Sequence, residues 1–86
     1  MRVTYTFNEL KAKEVIHIGD GERLGFISDM EVDAVSGRIL SIRVPGGYRA
    51  FGIFGREPER VIPWENIKKI GDDLIMVEHL RRAIEK

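Results

Sequence analysis

From Arg23 to Asp33 the side chains alternate. Leu24, Phe26, Ser28, Met30 and Val32 occupy one set of positions, and Arg23, Gly25, Ile27, Asp29, Glu31 and Asp33 the other. Period two is the repeat of an extended strand, whose successive side chains leave opposite faces. On a helix the same pattern would scatter its apolar groups around the axis. The run predicts one long, half-buried strand, bent at Gly25 where the missing Cβ accommodates a bulge. A chain built around such a strand is committed to β structure.

The flanking sequence extends that commitment. Glu14 to Ile18 predicts a strand with Val15 and His17 on one face and Ile16 and Ile18 on the other. Gly19-Asp20-Gly21 then marks a hairpin turn, because Asp-Gly tolerates positive φ. Ala34 to Gly37 turns the chain again. Arg38 to Pro45 returns as a strand with Leu40, Ile42 and Val44 predicted inward and Ile39, Ser41 and Arg43 outward. Val61 and Ile62 are β-branched and suit a strand, which Pro63 ends or confines to an edge because it cannot donate a ladder hydrogen bond. Trp64 is the only tryptophan and reads as a packing anchor, followed by a single 3₁₀ turn over Glu65, Asn66 and Ile67. Gly71-Asp72-Asp73 predicts the last tight turn before Leu74 to Val77. Near the start, Thr6 is placed to cap a short turn from Phe7 to Leu10, with Phe7 and Leu10 folding down together as a lid. Leu80, Ala83 and Ile84 have i, i+3, i+4 spacing, which predicts a short amphipathic helix over residues 79–86. No helix-length segment separates consecutive strands, so a βαβ fold is not expected.

At 86 residues the chain reads as one domain, which buries only about 60–65% of its unfolded surface. Its core is small, and a homodimer would relieve the shortage. Fourteen basic and fourteen acidic side chains cancel, so no net field attracts nucleic acid or anionic lipid. Without cysteine there are no disulfides, zinc thiolates or thiol nucleophiles. The opening MRVTYTFNELKAKE has no apolar core of a secretion signal, and no apolar run has the length of a membrane span. A cytoplasmic protein with no membrane contact is expected.

Each residue set that could carry chemistry has a simpler explanation. Asp29, Glu31 and Asp33 share one strand face, but a straight strand holds alternate carboxylates about 7 Å apart, too far for a wrapped cation. They read as a solvated face partly neutralised by Arg38 or Arg43. His17 and His79 stand alone, without the partners a metal or a triad requires. The glycines of GDGERLG and FGIFG lack the helix and lysine of a phosphate loop. No catalytic, cofactor-binding or metal-binding residue is assigned, and no enzyme activity is expected. Tyr48 to Phe54 is different: both faces of a strand over these residues would carry large apolar groups, more than a small core can hide. Two readings stand side by side. In one, Phe51 and Ile53 fill the interior of a small β-barrel while Tyr48 and Phe54 lie across its rim. In the other, Tyr48, Arg49, Phe51, Ile53 and Phe54 form the candidate protein interface, an apolar patch with a charged border in Arg49 and Arg56 to Arg60. Arg49 among aromatics also allows a weaker alternative, an RNA- or ribosome-associated accessory domain.

Two segments carry a family resemblance: GERLGFISDMEVDAVSGRILSIRV, and FGIFGREPERVIPWENIKKIGDDLIMV. Together they resemble the PRC-barrel superfamily, and most of all its small sporulation-associated YlmC/YmxH group. The resemblance covers about residues 7–78. It implies an all-β fold, a PRC-type barrel of about six strands, followed here by the helix at 79–86. Similar barrels occur in a reaction-centre subunit and a ribosome-maturation factor, and archaeal relatives are linked to cell-division assembly. The resemblance thus implies a non-enzymatic adaptor serving sporulation or division assembly. The small core and the 48–54 segment add the expectation of self-association and of an unidentified protein partner, and no cofactor is expected.

Overall fold

The structure is a computed structural model that describes residues 3–46 and 59–78. The element order is α1 (Phe7–Lys11), β1 (Glu14–His17), β2 (Arg23–Phe26), β3 (Asp29–Val32), β4 (Ile39–Val44), β5 (Arg60–Pro63), a 3₁₀ turn (Trp64–Asn66), β6 (Ile67–Ile70) and β7 (Leu74–Val77). The described strands form two sheets, β2-β1-β7-β6 and β3-β4-β5, rather than one continuous closed barrel. They number seven: the alternating run Arg23–Asp33 divides between the sheets, and Ile67–Ile70 forms a strand that the sequence reading did not assign. The predicted helix over 79–86 lies outside the described residues.

The division has a local cause. Gly25 sits at φ 122°, a conformation closed to most side chains, at a bulge opposite Val15 and Ile16. A Cβ there would lie 3.3 Å from Val44 Cγ1. β2 therefore presses on β4 where the first sheet meets the second. Two residues later the strand ends, the chain turns at Ile27 and Ser28, and β3 joins the other sheet. The turn breaks the parity of the run, so Ile27 is buried although it alternates with the polar set.

A second bulge corrects the reading of β4. Val32 pairs with Ile39 but Glu31 pairs with Ser41, which leaves Leu40 unpaired between them. Leu40 is consequently 47% exposed rather than inward. Ser41, predicted outward, is buried: it lies between Glu31 and Pro63 on the central strand, with its hydroxyl 3.4 Å from Glu31 Oε1. Ile42 and Val44 point inward as expected.

Sealed between the sheets are Leu10, Val15, Ile27, Ile42, Val44, Ile62, Ile75 and Val77, bordered by Tyr5, Leu24, Met30, Trp64, Ile67 and Ile70. Each fully buried Val or Ile contributes about 1.5–3 kcal/mol relative to exposure. Thr6 and Glu9 form the reciprocal cap of α1, Glu9 N–H donating to Thr6 Oγ1 at 3.1 Å and Thr6 N–H to Glu9 Oε1 at 2.8 Å. Of the expected lid only Leu10 enters the core; Phe7 stays on the rim, 37% exposed, with the Lys11 ammonium 5.5 Å from its ring centre. Pro63 ends β5 on a sheet edge, where its missing donor costs nothing, and Trp64 packs partly buried against the core.

Aspartates organise two of the turns. Asp20 accepts from Glu22 N–H at 2.9 Å and pairs with His17 Nδ1 at 2.8 Å, and these contacts lower its pKa. Asp33 accepts from the Val35 and Ser36 N–H groups, which lower its pKa likewise. Gly21 and Gly37 supply the positive φ values of these turns. Gly71 does not, so the β6–β7 turn forms without the backbone freedom expected of it.

Gly25→Ala is expected to lower unfolding stability by about 1–3 kcal/mol in urea titration, whereas Gly71→Ala should change it by less than about 0.5 kcal/mol. Because the folded pKa values of Asp20 and Asp33 lie below the ordinary value, their stabilisation is complete above about pH 4 and is lost as pH falls through the folded values. An Asp20→Asn, Asp33→Asn variant should show a shallower loss of stability below pH 4 in acid titration followed by circular dichroism.

Candidate protein-docking face

Strand register determines which side chains share each outer face. On the three-stranded sheet Arg43 stands between Asp29 and Val61, and Ser41 between Glu31 and Pro63. The Arg43 guanidinium reaches Glu59 at 3.3 Å and Glu31 at 3.9 Å. This face combines those ion pairs with exposed Val61, and Asp29 and Asp33 accept from backbone N–H groups. Among the described residues no group of three or more His, Cys, Asp or Glu is placed to hold a metal ion. The acidic row is a solvated face, as the sequence reading had it.

The outer face of the four-stranded sheet is built differently. Val15, Ile75 and Val77 point into the core, so their neighbours point out. Phe26, Glu14 and Leu74 form one cross-strand row. Arg23, Ile16, Met76 and Lys69 form the next. Ile18 continues the Ile16 side beyond the strand end, its N–H donating to Val77 C=O at 2.8 Å. Phe26 is 51% exposed, Ile18 46% and Leu74 36%, and none of these five apolar side chains packs on the core. Arg23 borders the patch at one end, bonded to Glu14 at 2.9 Å. At the other end Lys69, Gly71, Asp72, Asp73, Leu74 and Met76 line a shallow, mostly apolar depression. An apolar centre with a charged border is the composition of a protein-binding surface.

Lys13 holds the β6–β7 turn beside this depression. It is only 4% exposed; its ammonium donates to the Asp72 carbonyl and lies 4.2 Å from the Tyr5 ring centre. The Tyr5 hydroxyl donates to Asp72 Oδ1 at 3.2 Å. Nothing local in the sequence marks this clasp, since its members lie at three separated positions. Sequence reasoning also missed the face itself, although LIMV and the Ile16/Ile18 alternation carried its signal: apolar groups on both sides of a strand. The predicted interface residues Tyr48, Arg49, Phe51, Ile53 and Phe54 lie outside the described residues, as does His79. No helix of the described residues is long and apolar enough to cross a membrane.

Comparison with known proteins gives a consistent answer. Residues 2–83 match the PRC-barrel domain. The chain is similar to a probable sporulation protein, YlmC, of Bacillus subtilis (strain 168), with 40% identity over 72 residues, covering 84% of this chain and 89% of the relative. An uncharacterized protein of Clostridium acetobutylicum shares 36% identity over 86% of this chain and 84% of its own length. YmxH of Bacillus subtilis, also uncharacterized, shares 33% over 83% of this chain and 85% of its own. Matched over nearly its whole length and related to proteins of similar size, the chain belongs to the PRC-barrel domain family.

Proposed function

We propose that this protein is a non-enzymatic adaptor whose working surface is the outer face of the β2-β1-β7-β6 sheet. The observation that carries the reading is the placement of exposed Phe26, Ile18 and Leu74 beside half-buried Ile16 and Met76 on one face, none of them packed on the core among the described residues. Exposed apolar side chains gathered on a rigid sheet lose free energy to water and recover it when another protein covers them. The other sheet also exposes Val32, Leu40 and Val61, but there Arg43 is paired with Glu59 and Glu31 at 3.3 and 3.9 Å. The name of the Bacillus subtilis relative, a probable sporulation protein, supports a role for the adaptor in spore-related assembly. The segment containing Tyr48, Arg49, Phe51, Ile53 and Phe54 is proposed as a second contact, on the strength of its sequence alone.

Immobilised wild type, a Phe26→Ser, Leu74→Ser variant and a Phe51→Asp, Phe54→Asp variant should be compared for proteins retained from spore-forming cell extract. The sheet variant is expected to lose a retained protein at least about tenfold while its circular dichroism stays native. Equal retention by wild type and a folded sheet variant would contradict the reading. Loss confined to the second variant would move the surface to residues 48–54.

A further inference from the structure

The two rows of the docking face differ in sign. The row of Phe26, Glu14 and Leu74 carries one charge, the acid Glu14, and Asp73 directly precedes Leu74 and lines the depression with it. The row of Arg23, Ile16, Met76 and Lys69 carries bases only. The Lys69 ammonium and the Asp73 carboxylate make no hydrogen bond or ion pair among the described residues, although both line the depression beside Leu74 and Met76. The Arg23 side chain, bonded at its Nε to Glu14, is 75% exposed and keeps donors free.

From this pattern we propose that a second copy of the chain docks face to face on this sheet, related by a twofold axis. The inference rests on the adaptor reading and names one occupant of its surface. A twofold axis lying between the sheets, across the strands and midway between the rows, exchanges one row for the other. It sets Leu74 of one copy on Met76 of the other, brings Lys69 to Asp73, and brings Arg23 toward Glu14. Each contact occurs twice, as symmetry requires of an isologous interface. A single surface that is apolar along its middle, acidic along one row and basic along the next is complementary to itself. The balanced total charge of the chain adds no opposing long-range repulsion. Four strands at about 4.8 Å spacing give a face only about 15–20 Å wide, smaller than a standard interface of about 800 Å² per partner.

Sedimentation equilibrium over a concentration series tests this with the full chain. Wild type is expected to dimerise. Lys69→Asp and Asp73→Lys, each placing like charges opposite one another, should each weaken self-association about tenfold. An equimolar mixture of the two variants should dimerise as strongly as wild type, since every contact across the interface is then opposite in sign. The chain carrying both changes should also recover. Single variants that dimerise like wild type, or a mixture that stays monomeric, would overturn the assignment. So would a wild type monomeric to millimolar concentration; that result leaves the adaptor reading to stand or fall on retention of a different protein. If one single variant fails to fold, the doubly changed chain and the salt dependence of wild-type dimerisation decide. Dimerisation unaffected by salt would also overturn it.

Discussion

The parallel pairing of β1 with β7 is the constraint on which the rest of the structure depends. It joins segments from opposite ends of the described chain, matching Val15 with Ile75 and His17 with Val77. Backbone bonds extend it at both ends, from Glu14 N–H to Asp73 C=O at 3.1 Å and from Ile18 N–H to Val77 C=O at 2.8 Å. Three of the four paired residues are fully buried, so the pairing is also the floor of the core. Strand register admits no half measure: a slip by one residue would send Val15 to solvent and Ile16 to the interior. By fixing the inner face the pairing fixes the outer one, which aligns Ile16 with Met76 and Glu14 with Leu74.

That coupling explains how a small domain can hold both a core and a binding surface. The inner faces of the two sheets take the β-branched residues and are closed at one end by Leu10. The outer side of the three-stranded sheet mixes the Arg43 ion pairs with exposed Val61. The outer face of the four-stranded sheet has apolar side chains left over. Lys13, buried against Tyr5 and Asp72, ties the N-terminal segment to the turn at its edge and keeps that edge in place.

Features determined by near neighbours were readable in the sequence. Thr6 and Glu9 signal the helix cap, Asp20-Gly21 and Gly37 signal their turns, and Pro63-Trp64 signals the corner, found one residue earlier than expected. Features determined by distant partners were not. The bulge that turns Leu40 out depends on how Glu31 and Val32 meet the facing strand, and the division of the Arg23–Asp33 run depends on Val44 lying against Gly25. Alternation gives the two faces of a strand but not which one looks inward when both are apolar, as at Leu74 to Val77. The apolar residues of β1, β2 and β7 were visible in the sequence, but which of them share an outer face depends on strand register. The expectation for 48–54 rests on apolar groups of that segment itself, outside the described residues.

The central claim is that one sheet face is kept apolar for docking while its reverse side is core. Methyl-resolved solution NMR of the wild-type chain over a concentration series tests it most directly. The account predicts that the methyl signals of Ile16, Ile18, Leu74 and Met76 shift together with concentration while those of Ile42, Val44 and Ile62 hold still. In a sample mixing labelled and unlabelled chains, contacts between copies should join Leu74 to Met76. Concentration-dependent shifts centred on Val32, Leu40 and Val61 of the other sheet would contradict it.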